Sequence, residues 1–115
     1  MKTKESVSVC IFRNDAGRIW GFEIANHCES IVCAAVSAIV INACNSVFKF
    51  VEDDNLGAQL KHGSSGYIKF CSIAIRDGHS NSRFDLLMNS MLFGLESIEE
   101  EYPGSIIFEK KNGCV

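Results

Sequence analysis

The chain opens on an alternation with a period of two. Val7, Val9 and Ile11 interleave with Ser6, Ser8, Cys10 and Phe12, the pattern of a strand with one face on a core, and predict a strand over about residues 5–13. Asn14 to Gly17 supply turn residues, and residues 19–24 resume the extended pattern with Trp20, Phe22 and Ile24 on one face, so the two runs predict a hairpin. The chain then turns polar from Asn26 to Ser30 and almost wholly apolar from Ile31 to about Phe50. That change of period predicts a loop feeding a helix, with Ser30 as N-cap and Ile31 as the first helical residue. Apolar residues cover nearly its whole circumference, with Asn42, Asn45 and Lys49 only in the later turns, so the first half is expected to be buried all round.

Glu52, Asp53, Asp54 and Asn55 place acidic residues at the negative pole of that helix, which reads as a solvated loop rather than a metal site. Glycines with Ser64 and Ser65 predict a mobile segment through Gly66, with a short strand at 58–61. Aromatic and β-branched residues over 67–75 predict a central strand, and Arg76 to His79 turn the chain away from it. His62 and His79 stand beside glycines and read as exposed turn residues. Asn81 or Ser82 caps a second helix, on which Phe84, Leu87, Met88, Met91, Leu92, Leu95 and Ile98 form one broad apolar face. Glu99 to Glu101 read as a solvated helix end. Tyr102, Pro103 and Gly104 stop the helix before a short strand at 105–108, and a frayed tail covers 110–115. The order ββα, an extended segment, then βαβ predicts one domain over residues 1–115, an α+β fold of two layers with two helices packed on a mixed β-sheet.

Composition narrows the function. With 115 residues, 47% of them hydrophobic, the chain can bury a modest core. Eleven basic residues against 14 acidic ones leave a net charge of −3, and no Lys/Arg cluster supplies the electrostatic footprint of a nucleic-acid binder, so no direct nucleic-acid contact is expected. Met1 to Ser6 lead into alternating residues rather than an apolar signal core, and no long apolar run is flanked as a membrane span would be. A cytoplasmic location without a membrane partner is the resulting expectation. The six cysteines contain no Cys-x-x-Cys pair. Cys28, Cys33 and His27 could supply three close ligands without a fourth, so neither metal nor cofactor is expected. Cys28 lies close enough in sequence to Cys33 for a reversible disulfide that would shield it from oxidation.

The loop and first turn at 26–33 carry the candidate chemistry. With Ile31 as the first helical residue, Cys33 falls in the first turn, where unsatisfied N–H groups and the helix dipole favour negative charge and a thiol leans toward thiolate. His27 lies in the same short loop, within reach of pairing with that thiolate, the arrangement a cysteine nucleophile needs. Ser37 and Ile41 share a helical face with Cys33, which places the Ser37 hydroxyl one turn from the thiol. The competing readings are ordinary ones: a buried cysteine filling the core, a solvated loop histidine, and a serine bonded to its own helix backbone.

The run Ile-Val-Cys-Ala-Ala-Val-Ser-Ala at 31–38, with a histidine before it and Leu-Glu-Ser-Ile-Glu-Glu-Glu-Tyr at 95–102 downstream, resembles the ribosomal-processing cysteine protease family, Prp. The resemblance spans nearly the whole chain and sets His27 and Cys33 on the two catalytic positions, with Ser37 on the family's serine. Asn26 stands where the family has glycine, Cys28 where it has alanine and Ser30 where it has aspartate, which leaves Glu29, Asn26 or a backbone carbonyl to orient the imidazole. The resemblance implies a two-layer α+β fold, a homodimer, and a cysteine endopeptidase that removes a short N-terminal extension from a ribosomal large-subunit protein. The alternative is a ribosome-associated binding protein of the same fold in which Cys33 packs and His27 is structural.

Overall fold

The structure is a computed structural model that describes residues 6–25, 31–51 and 55–109. Its elements, in order, are β1 (Val7–Arg13), β2 (Ile19–Ala25), α1 (Ile31–Phe50), β3 (Ala58–His62), β4 (Ile68–Ser72), the single-turn α2 (Ile73–Arg76), α3 (Ser82–Glu101) and β5 (Ile106–Glu109). The strands form one mixed sheet in the order β3-β4-β2-β1-β5, antiparallel throughout except for the parallel pair β1 and β5. This is the expected α+β architecture of helices on a mixed sheet.

The β1–β2 hairpin closes as its turn residues require. The Asn14 side-chain oxygen accepts from the N–H groups of Ala16 and Arg18, and Gly17 takes φ 82°, which side chains with a Cβ resist. The Asn14 amide also donates to the Ile75 carbonyl at 2.7 Å, tying the hairpin to α2. Gly21 has another reason to be glycine: a Cβ there would lie 2.4 Å from the Phe70 carbonyl oxygen, so β2 and β4 pack at this point only because none is present.

Three expectations are corrected. The run at 67–75 is a strand only to Ser72, whose hydroxyl accepts from the Ile75 N–H and donates to the Leu56 carbonyl, a cap that starts α2 in place of further strand. The strand that does form, β4, is interior to the sheet as expected, paired with β3 on one side and β2 on the other. The short strand expected at 58–61 is present as β3, Ala58 opposite Ser72 through His62 opposite Ile68, and the rest of the segment expected to be mobile closes in a 3-10 turn at Ser64–Gly66. The backbone groups of β3 find partners on β4 rather than in water. His62 accordingly sits in an edge strand rather than a turn, and His79 is half-buried, its N–H donating to the Ala74 carbonyl.

The third correction concerns α1. Val32, Val36, Val40, Ala43, Cys44 and Val47 are buried along one stripe, but Ile31, Ala34, Ala38, Ile41 and Phe48 are exposed. A helix laid on one face of a sheet beside one neighbour buries a stripe and not its circumference, whatever its composition. The expected acidic loop at 52–54 and the tail at 110–115 lie outside the described residues.

Chain direction makes α1 and α3 antiparallel. Helix α1 descends from the end of β2, and α3 climbs back to the start of β5. They cross where Ile39 meets Gly94, close enough that a Cβ on the glycine would lie 3.0 Å from the isoleucine Cδ1. Asn81 caps α3 by accepting from the Phe84 N–H at 2.9 Å, and Phe84, Met88, Met91 and Leu95 form its buried face. Phe70 of β4 joins the layers: its ring lies 5.5 Å from Phe22 of β2, 5.8 Å edge-on from Phe48 of α1 and 6.4 Å from Phe84 of α3.

Candidate active site

One end of the sheet carries the described part of the predicted chemistry, the start of α1. There β2 ends at Ala25, opposite Ser8 of β1, while β4 and β5 begin at Ile68 and Ile106 and α1 begins at Ile31. A strand end and a helix start thus bracket residues 26–30.

Cys33 is the third residue of α1 and is half-buried, in the first turn as the sequence predicts. No acidic residue shares that turn. Ser37 is half-buried one turn on, and Ile41 one turn further is 40% exposed, so the face carrying the thiol opens toward solvent along its length. His27, with Asn26, Cys28, Glu29 and Ser30, lies outside the described residues. The structure therefore sets the elements on either side of residues 26–30, and it brings Cys33 and Ser37 onto one helix face. Among the described residues, no group of three or more His, Cys, Asp or Glu side chains could hold a metal ion.

The remaining described cysteines differ from Cys33 in setting. Cys10 and Cys44 are buried and Cys71 is half-buried on β4. Burial pushes the Cys44 thiol up to about 12, which keeps it protonated and inert at neutral pH.

Glu99 is the residue that the sequence reading misplaced. Read as part of a solvated helix end, it instead folds its carboxylate back onto the turn after α3, accepting from the Gly104 and Ile106 N–H groups at 2.8 Å and from the Ser105 hydroxyl. Those bonds, the two from backbone N–H groups foremost, hold its carboxyl below the ordinary range. The same turn is tied to β1 by Ser6, whose hydroxyl donates to the Gly104 carbonyl, and by the Val7 N–H on the Ser105 carbonyl. Glu99 thus fixes where β5 enters beside β1, at the same end of the sheet as the first turn of α1. The signal was present: an acid four residues before a Pro-Gly turn can satisfy the N–H groups that the turn leaves open.

Comparison with known proteins places this arrangement. The family model for cysteine protease Prp matches residues 6–107. A ribosomal processing cysteine protease Prp of Bacillus subtilis (strain 168) is 29% identical over 82 residues, 71% of each chain. Among solved structures, a ribosomal processing protease Prp from S. aureus, in complex with a covalently linked product peptide, superimposes with a TM-score of 0.78 at 25% identity, covering 91% of this chain and 99% of that one. A protein from Streptococcus mutans shares the fold, with a TM-score of 0.74 at 20% identity over 91% of this chain and 96% of its own.

Proposed function

Because this chain belongs to the cysteine protease Prp family, whose matching region runs over residues 6–107, we propose that it is an endopeptidase that removes a short N-terminal extension from a ribosomal large-subunit protein, with Cys33 as nucleophile and His27 as its base. The observation that carries the assignment is the position of Cys33, half-buried in the first turn of a helix that starts just past the end of β2, within the region the family model matches.

The chemistry follows from those positions. The Cys33 thiolate adds to the scissile carbonyl carbon, and the carbonyl electron pair moves onto oxygen. Backbone N–H groups in the first turn of α1, where the helix dipole favours negative charge, serve in this reading as the donors for that oxyanion. Collapse of the tetrahedral species breaks the C–N bond, the leaving amine takes the proton held by His27, and a thioester remains. Water, deprotonated by the same imidazole, then releases the acid and restores the thiol. The covalent product peptide held by the S. aureus relative supports a covalent route. Ser37 stands one turn from the thiol as a supporting hydroxyl, and Asn26, Glu29 and Ser30 are the loop side chains available to orient the imidazole.

The working unit in this reading is a homodimer in the cytoplasm that makes no direct contact with nucleic acid. The exposed apolar side of α1 supports a second copy. The test is incubation of the chain with a ribosomal large-subunit protein carrying its N-terminal extension. Wild type should shorten the substrate at one site and Cys33→Ala should leave it whole. Cleavage by Cys33→Ala at the wild-type rate would sink the assignment of the nucleophile.

A further inference from the structure

The two flanks of α1 have different surroundings. Ile39 on one flank meets Gly94 of α3. Cys33, Ser37 and Phe48 fall on the opposite flank at 3.6 residues per turn, and the Phe48 ring stands edge-on to Phe70 of β4. The thiol is therefore turned from α3 toward the side of the sheet whose edge strand is β3. Residues directly opposite in a ladder share a face, so Leu60 opposite Phe70 and His62 opposite Ile68 lie on the face that carries the Phe70 ring, the one under the helices. Leu60 is half-buried and His62 exposed, while Ile68 and Phe70 beside them are buried. Cover by the helices thus falls away between β4 and β3. The result is a trough with Cys33, Ser37 and Phe48 along its wall and Leu60 and His62 on its floor.

We propose that the N-terminal extension of the substrate lies extended in this trough and that His62 is a specificity-determining residue that hydrogen-bonds one of its side chains. The inference rests on the protease reading above and names how that site selects its substrate. The occupant follows from the wall, because the flank that bounds the trough is the one that carries the thiol, and a chain lying along it leads to Cys33. One helix flank and one edge strand take a single extended chain between them, and a folded body does not fit there. The short extension therefore occupies the trough, and the body of the substrate stays beyond the end of the sheet.

Lengths set the register. The rise from Cys33 to Phe48 is about 22 Å along the helix axis, the span of about seven extended residues. Leu60 and His62, alternate residues of one strand, stand about 7 Å apart, which is also the repeat of alternate side chains in an extended peptide. His62 is the nearer of the two to the end of the sheet where α1 begins, since its partner Ile68 starts β4. It therefore meets a side chain closer to the scissile bond, and Leu60 with Phe48 meets one two residues further away. Among the described residues the His62 imidazole has no hydrogen-bond or ion-pair partner, and it can both donate and accept. The trough so built selects a hydrogen-bonding side chain over His62 and an apolar one over Leu60.

The test follows cleavage of a synthetic peptide that spans the extension and the cleavage junction, with far-UV spectra as the folding control. His62→Ala should raise KM about tenfold with kcat little changed, as expected for one hydrogen bond made equally in the bound substrate and the transition state. His62→Asn, which keeps a donor and an acceptor, should recover most of that loss. An alanine scan of the peptide should find one position whose replacement raises KM for wild type and not for His62→Ala. Ile107→Ala, an exposed change on the far edge strand, should leave KM as it is. A benzophenone side chain placed about seven residues before the scissile bond should cross-link Cys33→Ala at Phe48 or within β3. Wild-type KM in His62→Ala, or cross-links to α3, to β5 or between two copies of the chain, would overturn the trough alone, because cleavage by wild type and its loss in Cys33→Ala report on the protease reading separately. A wild-type protein that leaves the peptide whole would overturn both.

Discussion

Cys33 and Cys44 lie on the same helix in opposite circumstances, one half-exposed in the first turn and the other 1% exposed against the sheet with its thiol raised to about 12. Iodoacetamide at neutral pH should therefore label Cys33 well ahead of Cys44, and peptide mapping over time would expose the reverse order if the site were misassigned. His27→Ala should slow that labelling and lower kcat about 10²–10⁴-fold, since the thiol loses the base that takes its proton and the leaving amine loses its donor. In wild type the pair should give a bell-shaped dependence of kcat/KM on pH, its limbs belonging to the coupled dyad, and the variant should lose that shape. Cys33 could be placed from residue types alone because a helix start is a local property, set by the switch from polar to apolar at Ser30 and Ile31. Glu99 offered only its spacing from the Pro-Gly turn, because its three acceptor contacts depend on how the chain returns after Pro103.

At the scale of elements, single atoms decide whether two strands or a strand and a helix can meet. Gly21→Ala would drive a Cβ into the Phe70 carbonyl of the neighbouring strand, and backbone on both sides leaves nothing flexible to yield. The expected loss is about 3 kcal/mol or more, read as a lower urea midpoint with an unchanged slope, and a wild-type midpoint would show that β2 and β4 are spaced differently. Asn81→Ala removes the cap of α3 and should cost about 1 kcal/mol without affecting cleavage. Both helices and the hairpin were legible because each rests on a local period. The end of β4 was not, since Ile73, Ala74 and Ile75 continue a plausible strand, and the Ser72 hydroxyl that caps α2 through the Ile75 N–H is held in place by its bond to the distant Leu56 carbonyl. The burial of α1 was overestimated for a related reason: an apolar residue states what it tolerates, while the neighbours that would cover it belong to other parts of the fold.

For the whole molecule, the least legible feature was strand order, because the pairing of Val7 with Ile106 joins the two ends of the described chain and leaves no local mark. Stability of the assembled fold should carry the signature of two groups at opposite ends of the pH scale. Glu99 has its carboxyl lowered from the ordinary 4.5 by backbone donors, so the folded state binds its proton less readily than the unfolded chain does. Its contribution is complete above the unfolded value and is lost as pH falls through the folded one. Cys44 acts in the opposite direction. Its unfolded thiol ionises near 9.0 while burial holds the folded thiol to about 12, so above pH 9 the unfolded chain releases a proton that the folded chain keeps, and stability declines as pH rises from 9 toward 12. Urea unfolding at neutral pH and at about pH 10.5 should therefore show a drop in midpoint for wild type and a smaller drop for Cys44→Ala, whatever the alanine costs at neutral pH. Equal drops in the two proteins would mean that the alkaline loss arises elsewhere and that Cys44 is not held neutral by the packing of α1 on the sheet.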